Sequence, residues 1–186
     1  MTSILTKFCA LFALCLTAIA AQAEQFGPMV ASDLNGDGVM ERFVLIDKEG
    51  DYRVDLVITD PRGGVTVARD IAWRGGIGQE PMLDLAPNGS VRVVSMNESI
   101  GRDRWWLTLT IAHRDGAYKV AGFTFDWYDT LDPEAYGVCD LNLLSGKGLL
   151  TKGDTPERQI RASLQAREVT EWKDDVQVPP ECERDG

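Results

Sequence analysis

The chain has 186 residues, with 19 Lys and Arg against 29 Asp and Glu, one histidine and a formal net charge of −10 at pH 7. Affinity for nucleic acid is carried by Lys and Arg on phosphate, and no basic run or Arg–aromatic cluster is present. Nucleic acid is therefore not an expected partner, and the same charge repels an anionic membrane surface.

Residues 1–23 read as a secretory signal, with Lys7, an apolar run from Phe8 to Ala20, and Ala21-Gln22-Ala23 as a small-x-small cleavage site. The run is shorter than the ~20 residues that span a bilayer, and no second one follows, so no membrane insertion of the mature chain is expected. Neither Cys9 nor Cys15 follows a small residue, so no lipid anchor is expected either. One lysine in a short signal suits bacterial export. The mature chain is expected to be periplasmic or secreted, with a β domain over 24–178 and a C-terminal tail over 179–186. That length is enough for one domain with its own core.

The first feature of the mature chain is the stretch Ser32–Ile46, SDLNGDGVMERFVLI. Asp33, Asn35 and Asp37 stand at alternate positions, Gly38 permits a sharp bend, the carbonyl of Val39 follows, and Glu41 offers a further carboxylate. Several oxygen donors in a tight loop suit calcium. An EF-hand needs glutamate at the twelfth position, where Val44 stands, and the following residues read as strand. The stretch resembles the calcium loop of FG-GAP or VCBS-type repeats, the blade motif of integrin-like β-propellers, over Ser32–Asp60. That resemblance implies Ca2+ held by Asp33, Asn35, Asp37 and Glu41; the place of Val39 in the loop adds its carbonyl, and in an exported protein the expected role is structural. A propeller needs ~4–8 blades of about four strands each, more than this chain holds, so one blade-like unit is the most expected. The competing reading is a polar turn entering a strand, because the same residues favour turns.

Further along, RFVLID, RVDLVITD, GVTVARDIAW, SVRVVSM, RWWLTLTIAHR, YKVAGFTFDWY and CDLNLLS are short runs of β-branched and aromatic residues. KEGD, DPRGG, APNGS, ESIGRD and HRDGAY punctuate them with turn formers. The expected fold is all-β, a single-domain antiparallel sandwich or blade-like sheet stack of about 8–10 strands. Trp105 and Trp106 are adjacent on a strand and must point to opposite faces, so one is a candidate for a partner surface together with Trp127 and Tyr128. Core packing is the alternative for these rings. His113 reads as a turn residue at a hairpin end, and the Gly-rich WRGGIGQEP matches no phosphate-binding spacing.

The segment FDWYDTLDPEAYG places Asp126, Asp129, Asp132 and Glu134 among aromatics. Those carboxylates could furnish a glycosidase pair, but a solvated face is the plainer reading. Cys139 and Cys182 are the only cysteines left after export, and an oxidising compartment pairs them as a disulfide that pins the tail. Over Thr155–Trp172 a capped helix competes with alternation at Ile160, Ala162, Leu164 and Ala166, and the alternation favours a strand. No GxSxG, HExxH or P-loop is present. No catalytic residue is assigned. The leading expectation is a calcium-stabilised β domain that binds a protein or glycan in the cell envelope. A carboxylate-based hydrolase and a purely structural envelope protein are the alternatives.

Overall fold

The computed structural model describes residues 28–48, 50–174 and 178–184, so the signal segment over 1–23 lies outside the described residues. Four strands form the first sheet in the order of the chain: β1 (Met29–Ser32), β2 (Glu41–Asp47), β3 (Arg53–Asp60) and β4 (Gly64–Trp73). The second sheet takes β5 (Met82–Leu85), β6 (Val91–Asn97), β7 (Asp103–Arg114), β8 (Ala117–Asp129), β9 (Tyr136–Asn142), β10 (Lys147–Lys152) and β11 (Arg158–Arg161) as consecutive antiparallel neighbours. A two-residue strand, β12 (Arg167–Glu168), pairs with β8. Two short 3₁₀ turns, Val169–Glu171 and Pro180–Cys182, are the remaining regular elements among the described residues, and no described helix is long and apolar enough to cross a membrane.

The fold is all-β, as the turn-punctuated apolar runs predict. Each long strand is built by alternation, which sends successive side chains to opposite faces. In β8, Phe123, Phe125 and Trp127 point inward, and in β9 the burial pattern alternates residue by residue. The inward set meets Phe43, Leu45, Val54, Leu56 and Ile58 of the smaller sheet in one hydrophobic core. Burial of this kind contributes roughly 25 cal/mol per Å² of apolar surface. The β7–β8 hairpin turns on Asp115 and Gly116, both at positive φ, as a two-residue turn matched to strand twist requires.

The chain's end completes the core instead of trailing from it. Val169 and Trp172 are buried, Trp172 packs on Phe123 with ring centroids 6.5 Å apart, and Cys182 is fully buried in a disulfide with Cys139 of β9. The alternation over Thr155–Trp172 yields two short strands, Arg158–Arg161 on the edge beside β10 and Arg167–Glu168 beside β8; between them the Ala162 N–H bonds the Gly146 carbonyl and the chain leaves the edge.

Gly137 shows how tightly this end is packed. A Cβ there would stand 2.3 Å from Trp127 Cζ2 and 2.6 Å from the Thr151 carbonyl, while Trp127 is itself stacked on Phe125 at 5.6 Å. Gly137→Ala is therefore expected to destabilise the protein by about 1–3 kcal/mol through overpacking. A urea midpoint unchanged from wild type would show that the indole has room to move.

Candidate functional site: the Asp33–Glu41 loop and the outer sheet face

The loop between β1 and β2 turns on Gly36 and Gly38, both at positive φ, and closes through its own polar side chains. Asp33 Oδ2 accepts the Gly38 N–H at 2.9 Å, Asn35 Oδ1 accepts that of Asp37 at 2.9 Å, and Asp37 Oδ1 accepts that of Val39 at 2.8 Å. These contacts explain why short Asp and Asn stand at alternate positions. Glu41 behaves differently. It is fully buried, its Oε2 accepts the Leu34 N–H at 2.7 Å, and its Oε1 accepts the Asn35 N–H at 3.2 Å and the Tyr118 hydroxyl at 3.0 Å. Burial of the Tyr118 phenol, followed by its bond to Glu41, pushes its pKa well above the usual tyrosine range.

Asp60, the last residue of β3, and Arg62 of the β3–β4 turn join the loop. The Asn35 amide donates to Asp60 Oδ2 at 3.1 Å, and the backbone N–H groups of Arg62 and Gly63 hold the Asp60 carboxyl below its ordinary pKa. The Arg62 guanidinium donates to the Asp37 carbonyl at 2.9 Å and pairs with Asp37 Oδ2 at 3.2 Å. Among the described residues no group of three or more His, Cys, Asp or Glu side chains is arranged to share a metal ion. The carboxylates of Asp33, Asp37 and Glu41 thus do not form a seat by themselves. Calcium takes 6–8 oxygen ligands, so an ion here would draw on Asn35, backbone carbonyls such as that of Val39, and water. Asp33, Asn35 and Asp37 each already accept a backbone N–H of the loop, and Glu41 accepts protein donors on both oxygens.

The aromatic candidates divide between two faces. Trp105 and Trp127 point inward; Trp127 is 6% exposed, and Trp105 lies 5.4 Å from Trp73 and 6.5 Å from Phe125. Trp106 and Tyr128 point outward on the face of the larger sheet that turns away from the core, where Trp106 is 42% exposed. Both hydrogen-bond one carboxylate. The Trp106 indole N–H donates to Glu98 Oε1, and the Tyr128 hydroxyl donates to Glu98 Oε2 at 2.8 Å. That bond to Glu98 raises the Tyr128 pKa.

Glu98 is itself held in place. Gln79, the buried residue of the Gly-rich loop, accepts the Glu98 and Ser99 N–H groups on Oε1 at 2.8 and 3.2 Å. The Asn97 amide closes the same turn on the Ile100 and Asp103 carbonyls, each at 2.9 Å. Sequence reasoning missed Gln79, Glu98 and Tyr136. The one available signal was the polar cluster NESIGRD between two strands, which reads simply as a turn. Tyr136 extends the outer row, directly opposite Tyr128, and its hydroxyl donates to Asp154 at 2.6 Å.

The acidic set of the hydrolase alternative divides between two places. Asp126 lies on the outer face beside Trp106, whereas Asp129, Asp132 and Glu134 border a cleft of about 740 Å³ together with inward-facing Trp127. Asp129 accepts the Arg102 guanidinium at 2.6 Å and the Leu131 and Asp132 N–H groups at 2.7 and 3.2 Å. Arg102 holds its pKa below the ordinary value. A general acid needs the opposite shift. A scan of protein-family models, a search of curated proteins and a search of solved structures return no match.

Proposed function

We propose that the chain is an exported, non-catalytic β domain that binds a protein or glycan partner of the cell envelope on the outer face of its larger sheet. A structural calcium clip at Asp33, Asn35 and Asp37 belongs to the same reading. The observation that carries the binding role is the shared Glu98 carboxylate, which fixes an exposed tryptophan and an exposed tyrosine side by side on an uncovered face. Rings held in advance lose little rotamer freedom on contact, and amphipathic aromatics dominate interface hot spots. Gln79 acts as a positioning residue, because it sets the backbone from which Glu98 reaches both rings.

Equilibrium binding to neutral oligosaccharides and to immobilised polypeptides of either charge tests the role. Trp106→Ala is expected to weaken the productive contact by about tenfold or more while leaving the unfolding midpoint within about 0.5 kcal/mol of wild type. Equal binding by wild type, Trp106→Ala and Tyr128→Ala to every probe would remove the face from consideration. Thermal unfolding tests the calcium clip: calcium a hundredfold above its Kd adds about 2.7 kcal/mol relative to chelator. Identical melting curves in millimolar calcium and in chelator would leave the loop as a metal-free turn.

A further inference from the structure

On the outer face, Asp126 stands between Trp106 of β7 and Val138 of β9, its register partners on either side. Its carboxylate accepts no hydrogen bond and joins no ion pair among the described residues, although its strand neighbours Thr124 and Tyr128 both have partners. Burial first, and then the charge of Asp140, push its pKa above the ordinary value. The cations bordering the cleft beyond Asp140, Lys147 and Arg161, make no ion pair with Asp126 among the described residues. Asp140, in the next row of β9, accepts the Thr124 hydroxyl at 2.8 Å and adds a second negative charge. Arg104, the register partner of Tyr128, donates to the Gly101 carbonyl at 2.5 Å. A half-buried carboxylate without a counter-charge is unfavourable unless something supplies one.

We propose that this face docks a basic protein partner and seats one of its lysine or arginine side chains between the Trp106 ring and the carboxylates of Asp126 and Asp140. The proposal rests on the outer-face reading above and selects protein over glycan as the occupant. Charge complementarity carries the selection. The seat presents two acidic groups and an exposed indole whose π-face attracts a cation, and the chain as a whole bears a formal charge of −10. A neutral sugar would leave the Asp126 charge without a counter-ion. A second copy of this acidic chain would bring further negative charge with it. The exposed Val138, Tyr128 and Tyr136 surround the seat and exclude water from the contact.

The test uses the mature chain with poly-L-lysine as the cationic probe and chitotetraose as the neutral one, at about 0.15 M salt, where only close charges act strongly. Asp126→Asn and Trp106→Ala are expected to weaken poly-L-lysine binding by about tenfold or more. Glu157→Gln, an equal charge change on an exposed residue outside the seat, is expected to weaken it less than about twofold. Asp126→Asn is expected to melt at or above the wild-type temperature, since it removes an unpaired charge, so lost binding would not reflect lost folding. Equal losses in Asp126→Asn and Glu157→Gln would overturn the seat. Chitotetraose binding that is lost in Trp106→Ala and kept in Asp126→Asn would overturn the cationic partner while sparing the outer-face reading. Sedimentation showing self-association that Trp106→Ala abolishes would do the same. Indifference of every probe to Trp106→Ala would remove both.

Discussion

Glu41→Ala will lower the folding free energy by about 3–5 kcal/mol, the lower part of the range for three donors left without their acceptor at about 1–3 kcal/mol each. Glu41 is fully buried, and its removal strands the Leu34 N–H, the Asn35 N–H and the Tyr118 hydroxyl together. Each unsatisfied buried group costs about 1–3 kcal/mol before water enters the space. Because Tyr118 lies on β8 in the other sheet, the same carboxylate also ties the two sheets at the mouth of the loop. Glu41→Gln should lie between, since an amide keeps one acceptor but turns two donors towards groups that are themselves donors. Urea unfolding at neutral pH measures both. A loss below about 1 kcal/mol for the alanine variant would show that water replaces the carboxylate freely. The penalty should be the same in calcium and in chelator, because every observed partner of Glu41 is a protein donor. If it vanished in chelator, Glu41 would be acting through a metal.

Reducing the Cys139–Cys182 bond, or replacing both cysteines with serine, will destabilise the protein by about 4 kcal/mol on the chain-entropy model for a sequence separation of 43 residues. At roughly 2–4 °C per kcal/mol for a domain of this size, the melting temperature should fall by about 8–16 °C. Both cysteines are fully buried, and their Cα atoms stand 5.5 Å apart, within the range a disulfide spans without moving the backbone. The bond anchors the Pro180–Cys182 turn to β9, and with it Arg184, whose guanidinium lies 5.7 Å from the Phe125 ring centre. Near-ultraviolet circular dichroism should change with reduction before the far-ultraviolet strand signal does, because tertiary packing around Phe125 and Trp127 loosens first. A melting temperature that moves by less than about 2 °C on reduction would mean that apolar contacts alone hold the chain's end.

Strands β3 and β4 were legible to the residue, because RVDLVITD and GVTVARDIAW combine β-branched residues with Asp, Pro and Gly punctuation on each side. Strands β1, β5 and β10 were not. MVAS, MLDL and KGLLTK carry little alternation or aromatic content, and they are strands because a neighbour offers a ladder to complete. The segment after Thr155 alternates without a break but pairs in two places, with β10 at Arg158–Arg161 and with β8 at Arg167–Glu168, because the chain leaves the sheet edge between them.

The sequence by itself determined the all-β class, the long strands, the cysteine pair and the rule that Trp105 and Trp106 part company. These follow from alternation and from there being two cysteines after the expected cleavage. Only the tertiary structure decided which of the two tryptophans faces out, because that depends on which side of the larger sheet the smaller one covers. It likewise decided the role of Glu41. Its spacing in the loop suits a ligand, yet Tyr118, 77 positions away, meets it in the interior and holds it there. Short-range pattern fixes which residues share a face, while the packing of two sheets fixes what each face meets.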